Sequence, residues 1–309
     1  MKHLLIVNGA SGNESTKQGL LEKIDEAFKG LDYEVHQTTG PKDATNFLKE
    51  YLEKHKDPVR IYACGGDGTV HEAANGMVGF EQAELAIYPI GTGNDFVKTY
   101  GGKDKFLDFQ VLINGEAKKV DLSKISSEGM EDLYSINVIN FGFDAIVGAM
   151  GNYYKENGFP EKARKKYHDN PYDYALHHDA MKHGRFNDII VYADGEQLNP
   201  KQILLCTLAQ GQFVGGEFNC SPKSDNTDGL IDVCVLQTMT FLGLGMIIGT
   251  YKKGKHLDKP RKKITYRQAK EIKMVGEKDF DVCVDGEMIK GNNYTVSVVP
   301  GAIKLVIPE

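Results

Sequence analysis

The strand-like run 59–64, apolar but for Arg60, breaks directly into Gly65-Gly66-Asp67-Gly68-Thr69, and a helical pattern begins at once. Glycines without Cβ atoms let the chain reverse sharply and turn its N–H groups outward, where they can grip an anion. The same arrangement recurs along the first 120 or so residues. Strand signals at 4–7, 33–38, 59–64 and 85–89 each run into a polar turn bearing glycine. These turns are Asn8-Gly9-Ala10-Ser11-Gly12, Thr38-Thr39-Gly40, the Gly65–Thr69 turn and Gly91-Thr92-Gly93-Asn94-Asp95. Helical patterns fill the intervals at 15–29, 42–56, 70–79 and from Asp95 onward. Repeated strand-then-helix units predict a parallel sheet covered on both faces. Such sheets take their ligands beyond the carboxyl ends of the strands, where these turns fall.

After residue 122 the pattern changes. Short β-rich runs appear at 132–139, 187–193, 202–209, 230–236, 264–266, 270–275, 280–284, 294–299 and 303–307. Asp194-Gly195, Asp285-Gly286 and Pro300-Gly301 close several of them. This predicts an antiparallel β-sandwich. Helix is expected at 172–183, within a segment (150–183) rich in Lys, His, Asp and Tyr, and again at 240–254. The expected class is α/β. A parallel-sheet nucleotide-binding domain spans 1–122, a β-sandwich domain spans 123–299, and residues 300–309 return to the first domain. The ligand cleft is expected between the two.

Composition narrows the partners. Among 309 residues the net charge is -6, which argues against nucleic acid, since phosphate backbones call for a basic surface. Cys64, Cys206, Cys220, Cys234 and Cys283 are scattered through apolar runs with no metal-ligand spacing, as buried thiols of a reducing cytosol would be. The start of the chain lacks the apolar run of a signal peptide, and the stretch 239–249 is too short to span a bilayer. Lys252, Lys253, Lys255, Lys259, Arg261, Lys262 and Lys263 come after that stretch. An apolar segment beside a basic cluster suits an anionic membrane surface. A core-facing helix leading into a solvated loop accounts for it equally.

One glycine turn alone is often an ordinary β–α connection. Four at the ends of successive strands read as a nucleotide cradle. In it Asp67 can reach a phosphate-bound Mg²⁺ and Thr69 can donate to a phosphate. The Walker-type phosphate loop is absent from the sequence.

Gly65-Gly66-Asp67-Gly68-Thr69, with Gly91-Thr92-Gly93-Asn94-Asp95-Phe96 after it, resembles the catalytic domain of the diacylglycerol kinase family, which includes sphingosine kinases. The resemblance continues through Asn140-Phe141-Gly142-Phe143-Asp144, Ser221-Pro222, Asp225 to Val233, Val284-Asp285-Gly286-Glu287 and Val299-Pro300-Gly301-Ala302. In order and spacing it is most similar to the soluble bacterial branch. It implies a phosphofructokinase-like first domain and ATP-dependent transfer of phosphate to a lipid hydroxyl, with diacylglycerol as the first expected acceptor. Another lipid, a soluble substrate such as NAD, and a non-catalytic sensor are the alternatives. It further implies ATP contacts at Asn8, Thr39, Gly65, Gly66, Asp67, Gly68, Thr69, Glu72, Thr92 and Glu287. Asp285 is implied as the acceptor of the hydroxyl proton, with Asp67, Asp95 and Asp121 joining it around Mg²⁺. Asp225, Asp228 and the Leu230 carbonyl are implied as a second, structural Mg²⁺ site. Asp285-Gly286 is also the favoured pair for a type I′ hairpin, and a turn can be a rigid perch for a base. The family usually has Asn-Pro where this chain has Asn8-Gly9, which loosens the first turn. The implied setting is cytoplasmic, peripheral to the inner face of a membrane. A homodimer is compatible with the sequence.

Overall fold

The computed structural model describes residues 1–8, 14–258 and 262–308. The glycine-bearing residues 9–12 and the basic positions 259–261 therefore lie outside the described residues. The first lobe runs β1 (Lys2–Val7), α1 (Glu14–Ala27), β2 (Tyr33–Gln37), α2 (Asp43–Lys54), β3 (Val59–Gly65), α3 (Asp67–Met77), β4 (Ala83–Pro89), α4 (Asp95–Lys98) and α5 (Phe109–Asn114). β2, β1, β3 and β4 pair in that order, all parallel. All seven residues of β3 are buried, as a central strand covered on both faces requires. Leu20 and Ile24 of α1, Leu48 and Leu52 of α2, and Val70 and Ala73 of α3 belong to the core around these strands. The chain order reverses between β1 and β3, so the open crevice at their carboxyl ends is the natural ligand site.

The second lobe comprises β5 (Ala117–Ser126), β6 (Leu133–Ser135), β7 (Val138–Gly142), α6 (Phe143–Asn157), α7 (Glu161–Lys166), α8 (Pro171–Ala175) and α9 (Met181–His183). It continues with β8 (Ile189–Ala193), β9 (Glu196–Gln197), β10 (Ile203–Ala209), β11 (Phe213–Val214), β12 (Phe218–Asn219), β13 (Ile231–Gln237), α10 (Phe241–Lys252), β14 (Ile264–Ala269), β15 (Glu271–Val284) and β16 (Glu287–Val306). A π-helical turn, Leu176–Ala180, joins α8 to α9. The expected class holds: a parallel-stranded first lobe and an antiparallel, sandwich-like second. The two are hydrogen-bonded into one sheet because β16 pairs with β15, with β5 and, at Lys304 and Leu305, with β4.

Several local expectations change. The runs read as separate strands at 270–275 and 280–284 are one strand, β15, and those at 294–299 and 303–307 are one strand, β16. Pro300-Gly301 is not a hairpin turn but an irregularity inside β16, where the register with β5 shifts between Val299 and Ile303. Asp285-Gly286 does form the two-residue hairpin turn, with φ of 51° and 102°, the positive pair a type I′ turn demands. Helix α6 and strand β5 were not expected. Helix α3 begins at Asp67, so the Gly65–Thr69 turn includes the first residues of the helix itself.

Asp121 of β5 is buried, and its two oxygens accept from Gly229 N and Gly301 N, each at 2.7 Å. It thereby ties the β16 irregularity to the loop before β13. Replacing it leaves two interior amides without acceptors, and bonds to a charged group are worth about 1.5–3 kcal/mol each. We expect Asp121→Ala to lower the free energy of unfolding by about 2–4 kcal/mol, read by urea denaturation.

Candidate active site

The glycine turns meet backbone to backbone. A Cβ at Gly91 would lie 2.3 Å from Gly66 Cα, so a side chain at 91 would push the two turns apart. The Asn8 amide donates to Thr69 Oγ1 at 3.3 Å, joining the β1 and β3 ends at the point where chain order reverses. These turns border a cleft of ≈ 480 Å³, within the usual range for small-molecule sites. Asn8, Gly66, Gly68, Thr69 and Thr92 line it, with Glu72 on one wall and Glu287 reaching in from the second lobe. The Glu72 carboxylate also accepts from Lys42 N and Ala44 N, fixing the start of α2 as another wall. Gly65, buried at the end of β3, does not line the cleft, and neither does Thr39. Its N–H and hydroxyl both donate to Asp43 Oδ2, which with His36 holds the Asp43 carboxyl down at about 2. Its neighbours Thr38 and Gly40 line the cleft instead.

Three of the four expected acidic residues gather beside α3. Asp95 N donates to Asp67 Oδ1 at 2.7 Å and Phe96 N at 3.3 Å. Asp67 Oδ2 faces Gly93, where a Cβ would lie 2.8 Å away. Burial first, then the Asp95 charge and more weakly that of Asp285, raise the Asp67 carboxyl above the usual range against the pull of the two amides. Asp95 is itself buried, bonded to Lys98 Nζ at 2.6 Å and to Gly216 N. An acidic pair of this kind could hold a divalent cation, which would relieve the repulsion. Asp121 does not join the group, since its carboxylate is bonded to Gly229 and Gly301.

Asp285 arrives from the β15–β16 turn. Its side chain is 2% exposed and accepts five hydrogen bonds. Oδ1 accepts from Ser135 Oγ (2.6 Å), Asn137 N (3.1 Å) and Val138 N (2.9 Å), and Oδ2 from Ile136 N and His71 Nδ1 (both 2.9 Å). Burial alone would raise this carboxyl, but the bond to and charge of His71, with the Ser135 and Ile136 donors, hold it below the usual range. An ionised carboxylate is acceptor-only, so His71 carries its proton on Nδ1. Burial pulls the imidazole down, yet Asp285 outweighs it and the net shift is upward. Four residues on, Asn75 Nδ2 donates to Tyr134 O at 2.8 Å while its Oδ1 accepts from Tyr134 N at 2.9 Å. One face of α3 therefore clasps the second lobe at two points. Neither His71 nor Asn75 was assigned a role from the sequence. The available signal was two polar residues spaced i, i+4 among Val70, Ala73, Ala74 and Met77, all buried.

The residues implied as a structural Mg²⁺ site lie together on the 225–230 loop. Asp225 Oδ1 accepts from Thr227 N and Oγ1, and Asp228 accepts from Leu230 N and Gln268 Nε2. The Leu230 carbonyl accepts from Gln210 Nε2 at 3.1 Å. Among the described residues no cluster of three or more His, Cys, Asp or Glu side chains is placed to hold a metal.

Comparison with known proteins places this geometry. Residues 2–125 match the diacylglycerol kinase catalytic domain, and residues 137–307 match the YegS C-terminal NAD kinase beta sandwich-like domain. A diacylglycerol kinase of Bacillus subtilis (strain 168) is 27% identical over 291 residues, covering 92% of this chain and 88% of that protein. A protein of Chromohalobacter salexigens named as a YegS-like lipid kinase is 24% identical over 310 residues, 99% of this chain and 93% of its own. In fold, the chain is similar to a Bacillus anthracis diacylglycerol kinase crystal structure, with a TM-score of 0.69 at 22% identity over 99% of this chain and 96% of that one. It is more distantly similar to yeast NADH kinase, with a TM-score of 0.51 at 12% identity over 100% of this chain and 84% of that one. The two domain matches in tandem define a lipid kinase. The chain belongs to the diacylglycerol kinase family, in its YegS-like two-lobed form.

The raised Asp67 carboxyl has a consequence for stability. A native-state pKa above the unfolded one means that the folded chain binds the proton more tightly. Stability therefore falls as pH rises from the ordinary carboxylate range through the raised value, and at neutral pH the charge is a net cost. We expect Asp67→Asn to raise the melting temperature of the nucleotide-free protein at pH 7, with the gain vanishing below pH ~3, under the ordinary carboxylate pKa; calorimetry at the two pH values checks it.

Proposed function

We propose that this lipid kinase takes the γ-phosphoryl group of ATP and transfers it to the free hydroxyl of diacylglycerol, giving phosphatidic acid and ADP. The observation that carries this is the placement of the acidic pair Asp67–Asp95 beside a cleft lined by Gly66, Gly68 and Gly91 at the α3 N-terminus. That end of a helix attracts phosphate. The names of the bacterial relatives support the choice of acceptor.

In this reading Gly66, Gly68, Thr69 and Thr92 receive the phosphates, while Asn8 and Glu72 shape the remainder of the nucleotide cleft. Asp67 and Asp95 would hold Mg²⁺ with its waters, supplying charge neutralisation on the phosphates. Asp285 orients the acceptor hydroxyl and takes its proton as the oxygen–phosphorus bond forms and the bond to the ADP oxygen breaks. Its five donors fill the carboxylate, so the hydroxyl must displace a side-chain donor, His71 or Ser135; the three backbone donors are fixed. The acceptor lies in a bilayer. No helix among the described residues is long and apolar enough to cross one, so contact is made from the membrane surface.

The test is a panel of lipid alcohols incubated with γ-labelled ATP and Mg²⁺. Label should enter an organic-extractable product with diacylglycerol and be lost without Mg²⁺. Label found only in the aqueous phase, or only on a different lipid, would sink the proposal. Gly91→Ala, by wedging the two turns apart, should weaken ATP binding at least tenfold, about 1.4 kcal/mol, in a calorimetric titration.

A further inference from the structure

Helix α10 is apolar on both sides. Thr240 caps it by accepting from Gly243 N at 3.2 Å, and eleven uncharged residues precede Lys252. One face is accounted for by the fold. Leu244, Ile247 and Tyr251 are each 6% exposed, pack in the core over β10 and β13, and Tyr251 shares a 2.8 Å hydrogen bond with Thr207. The other face is not. Leu242 is 75% exposed, Met246 67% and Ile248 39%, with Gly245 and Gly249 open between them. A helix lying on a water-soluble core normally turns charged and polar residues outward, and here the outward positions hold none until the last turn.

The basic segment at the C-terminal end of the helix identifies the occupant. Residues 252–263 carry seven basic side chains and one acidic one, Asp258, in a chain whose net charge is -6. Lys252 is paired with Glu217, while Lys253, Lys255, Lys262 and Lys263 are exposed. A second protein surface would be expected to answer so many lysines with its own acids. A bilayer of anionic lipid answers them uniformly and also receives the apolar side chains at the headgroup boundary. We infer that the outward face of α10, with the lysines at its C-terminal end, is the surface by which this enzyme docks on anionic membranes. The inference rests on the reading above in which the acceptor resides in a bilayer. It adds the location of the contact, on the second lobe.

The experiment is vesicle co-sedimentation without nucleotide or acceptor. The protein should bind phosphatidylglycerol-containing vesicles, bind neutral phosphatidylcholine vesicles at least tenfold more weakly, and be released from the former by high salt. The double variant Leu242→Glu/Met246→Glu should bind the anionic vesicles at least tenfold more weakly, with an unchanged melting temperature and ATP titration. Undiminished binding by that variant, or no vesicle binding by the native protein, overturns the inference. So does a native dimer that the same pair dissociates, because the face would then belong to a second copy of the chain. Phosphorylation of a short-chain diacylglycerol dispersed as monomers reports separately on the proposed reaction. Its failure would remove the acceptor assignment and leave the vesicle result to stand or fall alone.

Discussion

The carboxylate of Asp285 is the point on which both lobes close. Five donors converge on it, from α3 of the first lobe and from the segment 135–138 that enters β7 of the second. An ion buried this deeply is tolerable only when fully hydrogen-bonded, so its presence dictates where each donor must be. The β15–β16 turn, the β6–β7 connection and the middle of α3 are thereby fixed relative to one another. The cleft wall contributed by Glu287, two residues along, inherits that position. If Asp285 also receives a proton during catalysis, the same group both holds the lobes together and works between them.

The nucleotide side is built with opposite priorities. Gly66 and Gly91 touch through their backbones, and Asp67 is held near Asp95 although burial and like charge both oppose its ionisation. The amides of Asp95 and Phe96 bonded to Asp67 offset that cost only in part, since its carboxyl is still raised. Perturbed carboxyls cluster at functional sites, and here the perturbation falls on the first residues of α3, beside α4. The rest of α3 contributes buried apolar residues to the core and bears the His71 and Asn75 contacts. One helix thus divides its length between function and assembly.

Much of this was legible in the sequence because the first lobe is local. Three of its strands, β1, β3 and β4, are largely apolar runs, each strand ends at a turn marked by glycine, and helix periodicity fills the gaps. The Gly65–Thr69 turn and Asp285 could be matched to known motifs because their spacing is distinctive. The second lobe was harder. β15 and β16 are interrupted by polar and glycine residues, such as Gly276, Gly291 and Pro300, that look like breaks but are absorbed as irregularities of long paired strands. β5 begins with Lys118 and Lys119 on a half-exposed edge, which hid its strand character. His71 and Asn75 went unassigned because their partners lie more than 50 residues away, at Asp285 and Tyr134. The hydrogen bonds of the 225–230 loop were not legible either: Asp225 accepts from Thr227, Asp228 from Leu230 N and Gln268, and the Leu230 carbonyl from Gln210.

The pairing of β16 with β4 bears on the order in which the molecule can be assembled. Glu84 and Leu85 find their partners in Lys304 and Leu305, far along the chain. During synthesis the parallel strands β1 to β4 emerge early, yet the outer edge of β4 stays open until the second lobe has been made. An uncovered strand edge is a template for pairing with a neighbouring chain, and long-range closure is slow. The first lobe is therefore the last part to be finished although it is the first to be translated.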